Sequence, residues 1–305
     1  MDVSIIIVNY NTLHLTEACI ESIFSKTQGI DFEIILVDNA STDGSRQKFS
    51  ADRRIIYVYN HENLGFGRAN NLGLKIAQGR NILFLNPDTL CMNNAVARLS
   101  AFLDSHPRVA AVGGNLYDKE MQPALSFRRQ LPSIGWELDA LLFHLPERII
   151  YAQQRFFNHS TYPTKVGYIT GADLMARREE LLSVAGFASD FFMYYEDTDL
   201  CYRLKRGGKK LYALPNAHIQ HLEGQSFTNT HINHRRIALS EQGRHLYYQR
   251  NHSRRYHIIA NSIYMASLTL HSLYYKLSKQ NIRRKNCILR RRIVRQLQHS
   301  LKTQC

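Results

Sequence analysis

VSIIIVNYNT, Val3–Thr12, opens the chain on an almost unbroken β-branched run that gives way to polar turn residues. Three further runs end in the same manner: Phe32–Val37 before Asp38-Asn39, Arg54–Tyr59 before Asn60–Asn63, and Asn81–Leu85 before Asn86-Pro87-Asp88. Apolar runs of this length, with no polar alternation, suit strands covered on both faces. The stretches between them, Leu13–Ser25, Gly67–Ala77 and Asn93–Asp104, read as helices. The alternation predicts an α/β fold whose first half is Rossmann-like, wound around a mostly parallel central sheet. Ligands of such sheets bind beyond the carboxyl ends of the strands, and here all four ends are polar.

Further along, the pattern changes. From Val112 to about Leu145 the periodicity weakens around Pro123, Arg128-Arg129 and Pro132, which reads as a loop-rich insertion. Lys165–Arg177 reads as a strand passing through Gly171-Ala172-Asp173. Glu179–Val184 and Asp197–Arg206 read as short helices closed by Gly186 and by Gly207-Gly208. Lys210–Leu214 is a late strand, followed by Pro215 and a His-bearing loop.

The net charge of +14 is unevenly placed. Glu241 is the last acid; up to it the chain carries 25 cations and 25 acids, and after it 14 cations alone. A neutral body is not expected to bind nucleic acid by charge. In the tail, Ile258–Leu277 is apolar but interrupted by Asn, Ser, Thr and His, and reads as too weak to span a bilayer. Ile282, Leu289, Ile293, Leu297 and Leu301 then form one helical stripe among seven Lys and Arg. This predicts either a basic amphipathic helix on an anionic membrane surface or a terminal helix packing its stripe on the body. Five scattered cysteines without paired spacing fit a reducing compartment. The N-terminus has no basic leader or cleavage signature, so a signal peptide is not expected.

The strand ends carry the candidate chemistry. Tyr10 offers a ring against a base and Asp38 an acceptor for an imide N–H, with Asn9, Asn11 and Asn39 beside them. Each, taken singly, also serves as a turn former. In Asn63–Asn71 (NLGFGRANN) two glycines permit close backbone approach, and a helix start near Arg68 favours phosphate. The same residues also make an ordinary helix-starting turn. Asp88, just past a buried strand, suits a hard divalent cation bridging to phosphate oxygens, or else an N-cap. His221 is a second candidate ligand; histidine with carboxylate and phosphate oxygens suits Mn²⁺, and Mg²⁺ is admissible. Glu196, Asp197 and Asp199 follow an aromatic run, where three carboxylates in four residues are poor core material. At the mouth of a cleft one of them can act as a general base tuned by its neighbours. Glu196 and Asp199 are expected to share a helix face, and an acidic helix start also complements the dipole.

Read in order, SIIIVNYNT, ILVDNASTDGS, NLGFGRANNLG, LFLNPDT, GADLMARREE, FFMYYEDTDLCYRLKRGG and PNAHIQHLEGQS resemble the sequence blocks of GT-A family-2 glycosyltransferases, in their bacterial rhamnosyltransferase-like branch. The resemblance spans Ser4 to Ser226. It implies that Asp38 binds the base with Tyr10 and the Val8-Asn9 backbone, the nucleotide site extending through Asn11, Asn39, Asn63, Gly65, Phe66, Arg68 and Asn70. It implies Asp88 at the last position of the DxD metal motif, His221 near the metal, and Asp197, second in the ED motif after Glu196, as the general base. Two positions depart from the pattern: Asn86 stands where the first DxD carboxylate would be, and Asn70 where many relatives carry arginine.

The implied reaction is a single inverting displacement, aided by a divalent cation (Mn²⁺ or Mg²⁺). It would move rhamnose from dTDP-rhamnose, or a sugar from a UDP-sugar, to a lipid-linked or surface-glycan acceptor. The expected organisation is a glycosyltransferase domain over 1–240, with a nucleotide-binding half at 1–112 and an acceptor and catalytic half at 113–240. A basic helical extension, 241–305, follows. The expected location is cytoplasmic, peripheral on the inner face of the membrane, with the tail on anionic lipid. Two other readings fit less well. A nucleotidyltransferase would open on a Gly-rich basic loop where this chain has Asn-Tyr-Asn-Thr. A non-enzymatic nucleic-acid-binding protein would act through the tail alone, and the neutral body and the acids around Asp197 speak against it.

Overall fold

The computed structural model describes residues 1–222 and 233–302. The end of the last motif block, 223–226, lies outside the described residues, as does Cys305. In chain order the first elements are β1 (Val3–Asn9), α1 (Leu13–Lys26), β2 (Phe32–Asn39), α2 (Ser45–Ser50), β3 (Ile56–Asn60), α3 (Phe66–Ile76) and β4 (Asn81–Leu85). There follow β5 (Thr89–Cys91), α4 (Ala95–Ser105), β6 (Val109–Tyr117), β7 (Phe127–Arg128), α5 (Ile134–Leu141) and α6 (Leu145–Tyr151). Next come β8 (Thr164–Lys165), β9 (Tyr168–Ile169), β10 (Asp173–Arg177), α7 (Arg178–Ser183), α8 (Glu196–Arg206) and β11 (Lys210–His221). Helices α9 (His234–Asn251), α10 (Arg254–Leu277) and α11 (Asn281–Lys302) complete the chain.

Two compact units divide these elements. The first comprises Met1–Arg129, Gln153–Phe192 and Glu196–Glu223. Its main sheet runs β3-β2-β1-β4-β10-β6-β11-β5, with β8 also on β11. Strands β3, β2, β1 and β4 are mutually parallel, as the sequence predicts. β10 runs antiparallel between β4 and β6, so the sheet is mixed beyond the first half.

Alternation sorts each strand between two cores. Val3, Ile5 and Ile7 of β1 pack with Cys19, Ile20 and Ile23 of α1 and Leu99 and Leu103 of α4. Ile6 and Val8 pack on the other face with Ala69 and Leu74 of α3 and Leu200 and Leu204 of α8. At roughly 1.5–3 kcal/mol per fully buried aliphatic side chain, the central strands supply most of what holds this unit together.

Three expectations change. The segment from Val112 is not simply a loop-rich insertion, because β6 runs to Tyr117 and helices α5 and α6 follow. Lys165–Arg177 is three short strands, not one. The late strand does not stop at Leu214: β11 shifts register between Ala213 and His218, which accommodates Pro215, and continues to His221. His221 therefore ends a strand instead of lying in a loop.

The second unit comprises Gln130–Ala152, Met193–Tyr195 and Gly224–Cys305. Three of its helices, α5, α9 and α10, start on side-chain caps: Ser133, Asn233 and Ser253 each accept a backbone N–H one turn on. Its interior is strongly polar. Arg244 meets the Glu137 carboxylate at 2.7 Å with both side chains buried, and donates to Asn261 at 2.6 Å. Its guanidinium lies 3.9 Å from the Tyr264 ring centre, and Tyr264 in turn donates to Glu241. Arg290 of α11 also pairs with Glu241, so part of the basic tail is tied into this interior.

Candidate active site

Strand register places the motif residues along one edge of the sheet. Asn9 lies beside Asp38 and Asn39 beside Asn60. Ile7 pairs with Leu85, and Leu85 with Asp173 at the start of the antiparallel β10. Across the far strands, His221 lies opposite Thr89. The carboxyl ends of β1 to β4, the start of β10 and the end of β11 thus face the same way.

At the first two strand ends the polar groups build the loops. The Asn9 carboxamide oxygen accepts from Thr12 and Thr16, and its amide donates to Ser41 at 3.1 Å. Asn11, with φ near 55°, accepts the Thr42 N–H at 2.7 Å. Asp38 is wholly buried; its two oxygens accept from the Ser41 N–H at 2.9 Å and the Tyr57 hydroxyl at 2.7 Å. Burial and that carboxylate push the Tyr57 phenol well above its ordinary pKa, so it stays a donor. Tyr10, by contrast, is half exposed and presents its ring at this edge.

Asn39 organises the third loop. Its amide donates to Asn63, and its oxygen accepts from Asn60 and from the Leu64 N–H. Asn63 also receives the Gly65 N–H. The glycines approach protein instead of leaving an open cradle: a Cβ on Gly65 would lie 2.4 Å from the Phe192 carbonyl oxygen, and one on Gly67 3.0 Å from Phe187 Cβ. The Phe66 N–H donates to that Phe192 carbonyl at 3.0 Å. The third block is thereby joined to the chain leading into α8. Arg68 is exposed on α3, while Asn70 is buried and donates to Phe66 within its own helix.

Asp197 stands at the start of α8. One carboxylate oxygen accepts the Gly171 N–H at 2.9 Å; the other accepts the Thr198 N–H at 2.6 Å and the Thr198 hydroxyl at 3.1 Å. Burial raises its pKa against these donors. Glu196 is raised as well, by burial first and then by the Asp197 charge, and one of its buried oxygens has no hydrogen-bond partner. Asp199 is occupied otherwise, in an i,i+4 pair with Arg203 at 2.7 Å. The Gly171 backbone that holds Asp197 also packs against Phe66, since a Cβ there would lie 3.2 Å from its ring. The next residue, Ala172, accepts the Asn86 N–H at 3.0 Å. A short path of backbone contacts therefore connects Asp197 to Asn86-Pro87-Asp88.

Asp88 and His221 lie side by side. Asp88 Oδ1 and His221 Nε2 are 3.3 Å apart, and the Leu222 N–H donates to the Asp88 carbonyl at 2.8 Å. The Asn86 amide is also 3.3 Å from His221 Nε2. An imidazole nitrogen this close to a carboxylate oxygen is bridged either by a proton or by a cation. About 3 Å is the spacing of adjacent donors on an octahedral ion, so the pair fits a small divalent cation, with diphosphate oxygens and water completing the shell. The Asp88 side chain is 24% exposed, which leaves one side open to an incoming group.

Asp173 and Tyr57 escape sequence reasoning, because nothing in an isolated Asp or Tyr reveals its burial. Asp173 is fully buried; one oxygen accepts the Gly114 N–H and the other has no partner. Burial pushes its carboxyl up to about 7, against the opposing pull of Gly114 and His221. A carboxyl harder to ionise folded than unfolded favours folding while protonated. That contribution is complete below the unfolded value of 3.8 and is lost as pH rises through about 7. Asp173→Asn, which keeps an acceptor for Gly114, is expected to raise the melting temperature at pH 8 and leave it unchanged at pH 4. The gain at high pH is on the order of a few kcal/mol. Equal shifts at both pH values in thermal melts would contradict this.

A glycosyl transferase family 2 profile matches residues 4–179. The low-salt glycan biosynthesis hexosyltransferase Agl10 of Haloferax volcanii is 29% identical over 215 residues, covering 67% of this chain and 62% of its own. The N-acetylglucosaminyl-diphospho-decaprenol L-rhamnosyltransferase of Mycobacterium tuberculosis is 28% identical over 239 residues, covering 72% and 75%. Among solved structures, the mannosyltransferase PcManGT of Pyrobaculum calidifontis, in complex with GDP-Man and Mn²⁺, superposes with a TM-score of 0.59 at 16% identity, over 94% of this chain and 85% of its own. GalNAc-T7 with UDP, GalNAc and Mn²⁺ gives 0.59 at 14% identity, over 82% and 48%. These two likenesses bear on the fold, which is GT-A. With the family profile running over Asp38 and Asp88, the chain belongs to glycosyl transferase family 2 and is a glycosyltransferase.

Proposed function

We propose that the protein transfers a hexosyl group, rhamnose from dTDP-rhamnose or a sugar from a UDP-sugar, to a hydroxyl of a lipid-linked or surface-glycan acceptor, inverting the anomeric carbon. The observation that carries this reading is the backbone path from Asp197 through Gly171 and Ala172 to Asn86, which sets a candidate base and a candidate cation site on one sheet edge. The names of the Haloferax and Mycobacterium relatives support the hexosyl donor and, in the second case, a diphospho-lipid acceptor.

In this reading the base and ribose lie at the first strand ends, with Tyr10 against the base. Asp38 fixes Tyr57 and Ser41 at that end, and the loop of Asn63, Gly65 and Phe66 walls the phosphates. The half at 1–112 serves the nucleotide and 113–240 the acceptor. Asp88 and His221 would hold a divalent cation, which supplies positive charge to the departing diphosphate. The acceptor oxygen attacks the anomeric carbon as the bond from that carbon to the diphosphate oxygen breaks. The electron pair leaves with the nucleoside diphosphate, and the acceptor proton goes to Asp197. A base with a raised pKa is better matched to an alcohol at neutral pH than an ordinary aspartate. The enzyme would work at the cytoplasmic face of a membrane, where a lipid-linked acceptor is presented.

Calorimetric titration of dTDP or UDP with and without Mn²⁺ tests the cation site. In the native protein Mn²⁺ is expected to tighten binding. In Asp88→Ala that gain disappears, weakening Mn²⁺-supported binding by about tenfold or more, as expected for loss of a charged ligand, while metal-free binding is unchanged. Identical titrations for the two proteins would remove Asp88 from the site.

A further inference from the structure

The second unit combines three features that point to a surface of one kind. It carries 17 Lys and Arg but only four acids, Glu137, Asp139, Glu147 and Glu241. All four are turned away from solvent, with side-chain exposures of 3%, 14%, 5% and 1%. Large aliphatic side chains, in contrast, stand out: Leu145, Ile149 and Ile150 on α6, and Leu273 and Leu277 on α10, are all more than half exposed.

An aromatic contact brings the two helices together at one point. The Phe143 ring, in the turn between α5 and α6, lies 4.2 Å from the His271 ring and 5.2 Å from Tyr274. That contact sets the start of α6 beside the last turns of α10. On α10 the segment from Tyr256 to Tyr275 contains no Lys, Arg, Asp or Glu. Ile259, Ser262, Ala266, Leu270, Leu273 and Leu277 are all exposed, at spacings of three and four that trace one helical stripe. Exposed cations frame it: Arg254 and Arg255 at one end, Lys276, Lys279 and Arg283 at the other. On α11, Cys287 and Val294 are buried and Leu289 and Ile293 half-buried, so much of that helix packs within the unit. Among the described residues no helix is long and apolar enough to cross a membrane.

We propose that the second unit docks on an anionic lipid bilayer, seating the α6–α10 apolar face in the headgroup layer with the framing cations on lipid phosphates. An apolar strip in a cationic frame, with every acid withdrawn, matches the chemistry of that surface. A second copy of the chain would bring like charges together across the same face. A nucleic acid would leave the leucines and isoleucines without a role. The purpose of docking rests on the proposed lipid-linked acceptor, but the docking itself requires no sugar transfer.

Flotation of the full-length protein with phosphatidylcholine vesicles, with and without phosphatidylglycerol, tests it. The native protein is expected to float only with the anionic vesicles. Leu273→Ser/Leu277→Ser and Ile149→Ser/Ile150→Ser, all at exposed positions, should each lose about tenfold in partitioning. Lys276→Ser/Lys279→Ser should flatten the salt dependence. Nucleoside diphosphate binding should be unchanged in all three. The proposal is overturned by native protein that does not float or by serine variants that float equally well. It is also overturned by light scattering that shows a native dimer dissolved by the leucine substitutions. If docking fails while sugar transfer to a soluble acceptor persists, the docking proposal alone falls. If Asp197→Asn keeps turnover while docking holds, the sugar-transfer assignment falls instead.

Discussion

Asp197→Asn is expected to lower turnover by about 10³ while leaving nucleoside diphosphate binding near its native strength. The carboxylate is held from both sides, by Gly171 and by Thr198, so its position is set before any acceptor arrives. The asparagine keeps the shape and one accepting oxygen, but it cannot take a proton from an alcohol. Its neighbour behaves differently. Glu196 is raised partly by the charge on Asp197, so it holds its proton when Asp197 has lost its own, and Glu196→Gln should retain most activity. In the native enzyme the acidic limb of the pH–rate profile should lie above the ordinary aspartate value, because burial raises Asp197. Steady-state kinetics with a nucleotide-sugar donor, beside a melting curve for each variant, distinguish these outcomes. Native turnover in Asp197→Asn would remove it as the base.

Gly65→Ala is the substitution expected to do most damage to the fold of the site. Gly65 has φ near 82° and ψ near 173°, a region essentially reserved for glycine, and a Cβ would lie 2.4 Å from the Phe192 carbonyl oxygen. The backbone strain alone costs roughly 1–3 kcal/mol, and the contact adds to it. The Phe66 N–H bond to Phe192 lies at the same place, so relief of the clash separates the third loop from the chain entering α8. Urea unfolding should show a loss of about 3 kcal/mol or more, with activity falling further than stability accounts for. Gly29, whose Cβ would meet nothing within 4 Å, is the control at another positive φ, where alanine brings strain without a clash.

The sequence discloses the first half well because β1, β2 and β4 lie in parallel register and bury both faces along most of their length, so their residues are largely apolar. β6 is obscured by Gly113-Gly114. Those glycines are required: a Cβ would lie 2.5 Å from Ile169 at the first and 2.6 Å from the Ala217 carbonyl at the second. β11 is obscured by Pro215, which the register shift absorbs. Helices α5 and α6 are hidden for another reason. Glu137 and Glu147 face inward and Leu145 and Ile149 outward, the reverse of the pattern that betrays a helix against a core.

At the site, motif residues at strand ends were legible as a group. Their individual tasks were not, since hydrogen-bond partners depend on distant loops. Asn9, Asn39 and Asn63 prove to be joints between those loops. Asp88 and His221, 133 residues apart, meet because β5 and β11 pair antiparallel, and only the sheet could reveal that.

The most direct test is a crystal of the protein with dTDP or UDP and Mn²⁺, with anomalous scattering recorded at the manganese edge. A peak bound by Asp88 and His221, with the diphosphate on it and the Asp197 carboxylate turned toward the anomeric end, is the predicted result. A peak confined to the Asp139, His144 and Glu147 cluster, or a nucleotide bound away from the carboxyl ends of β1 to β4, would contradict it.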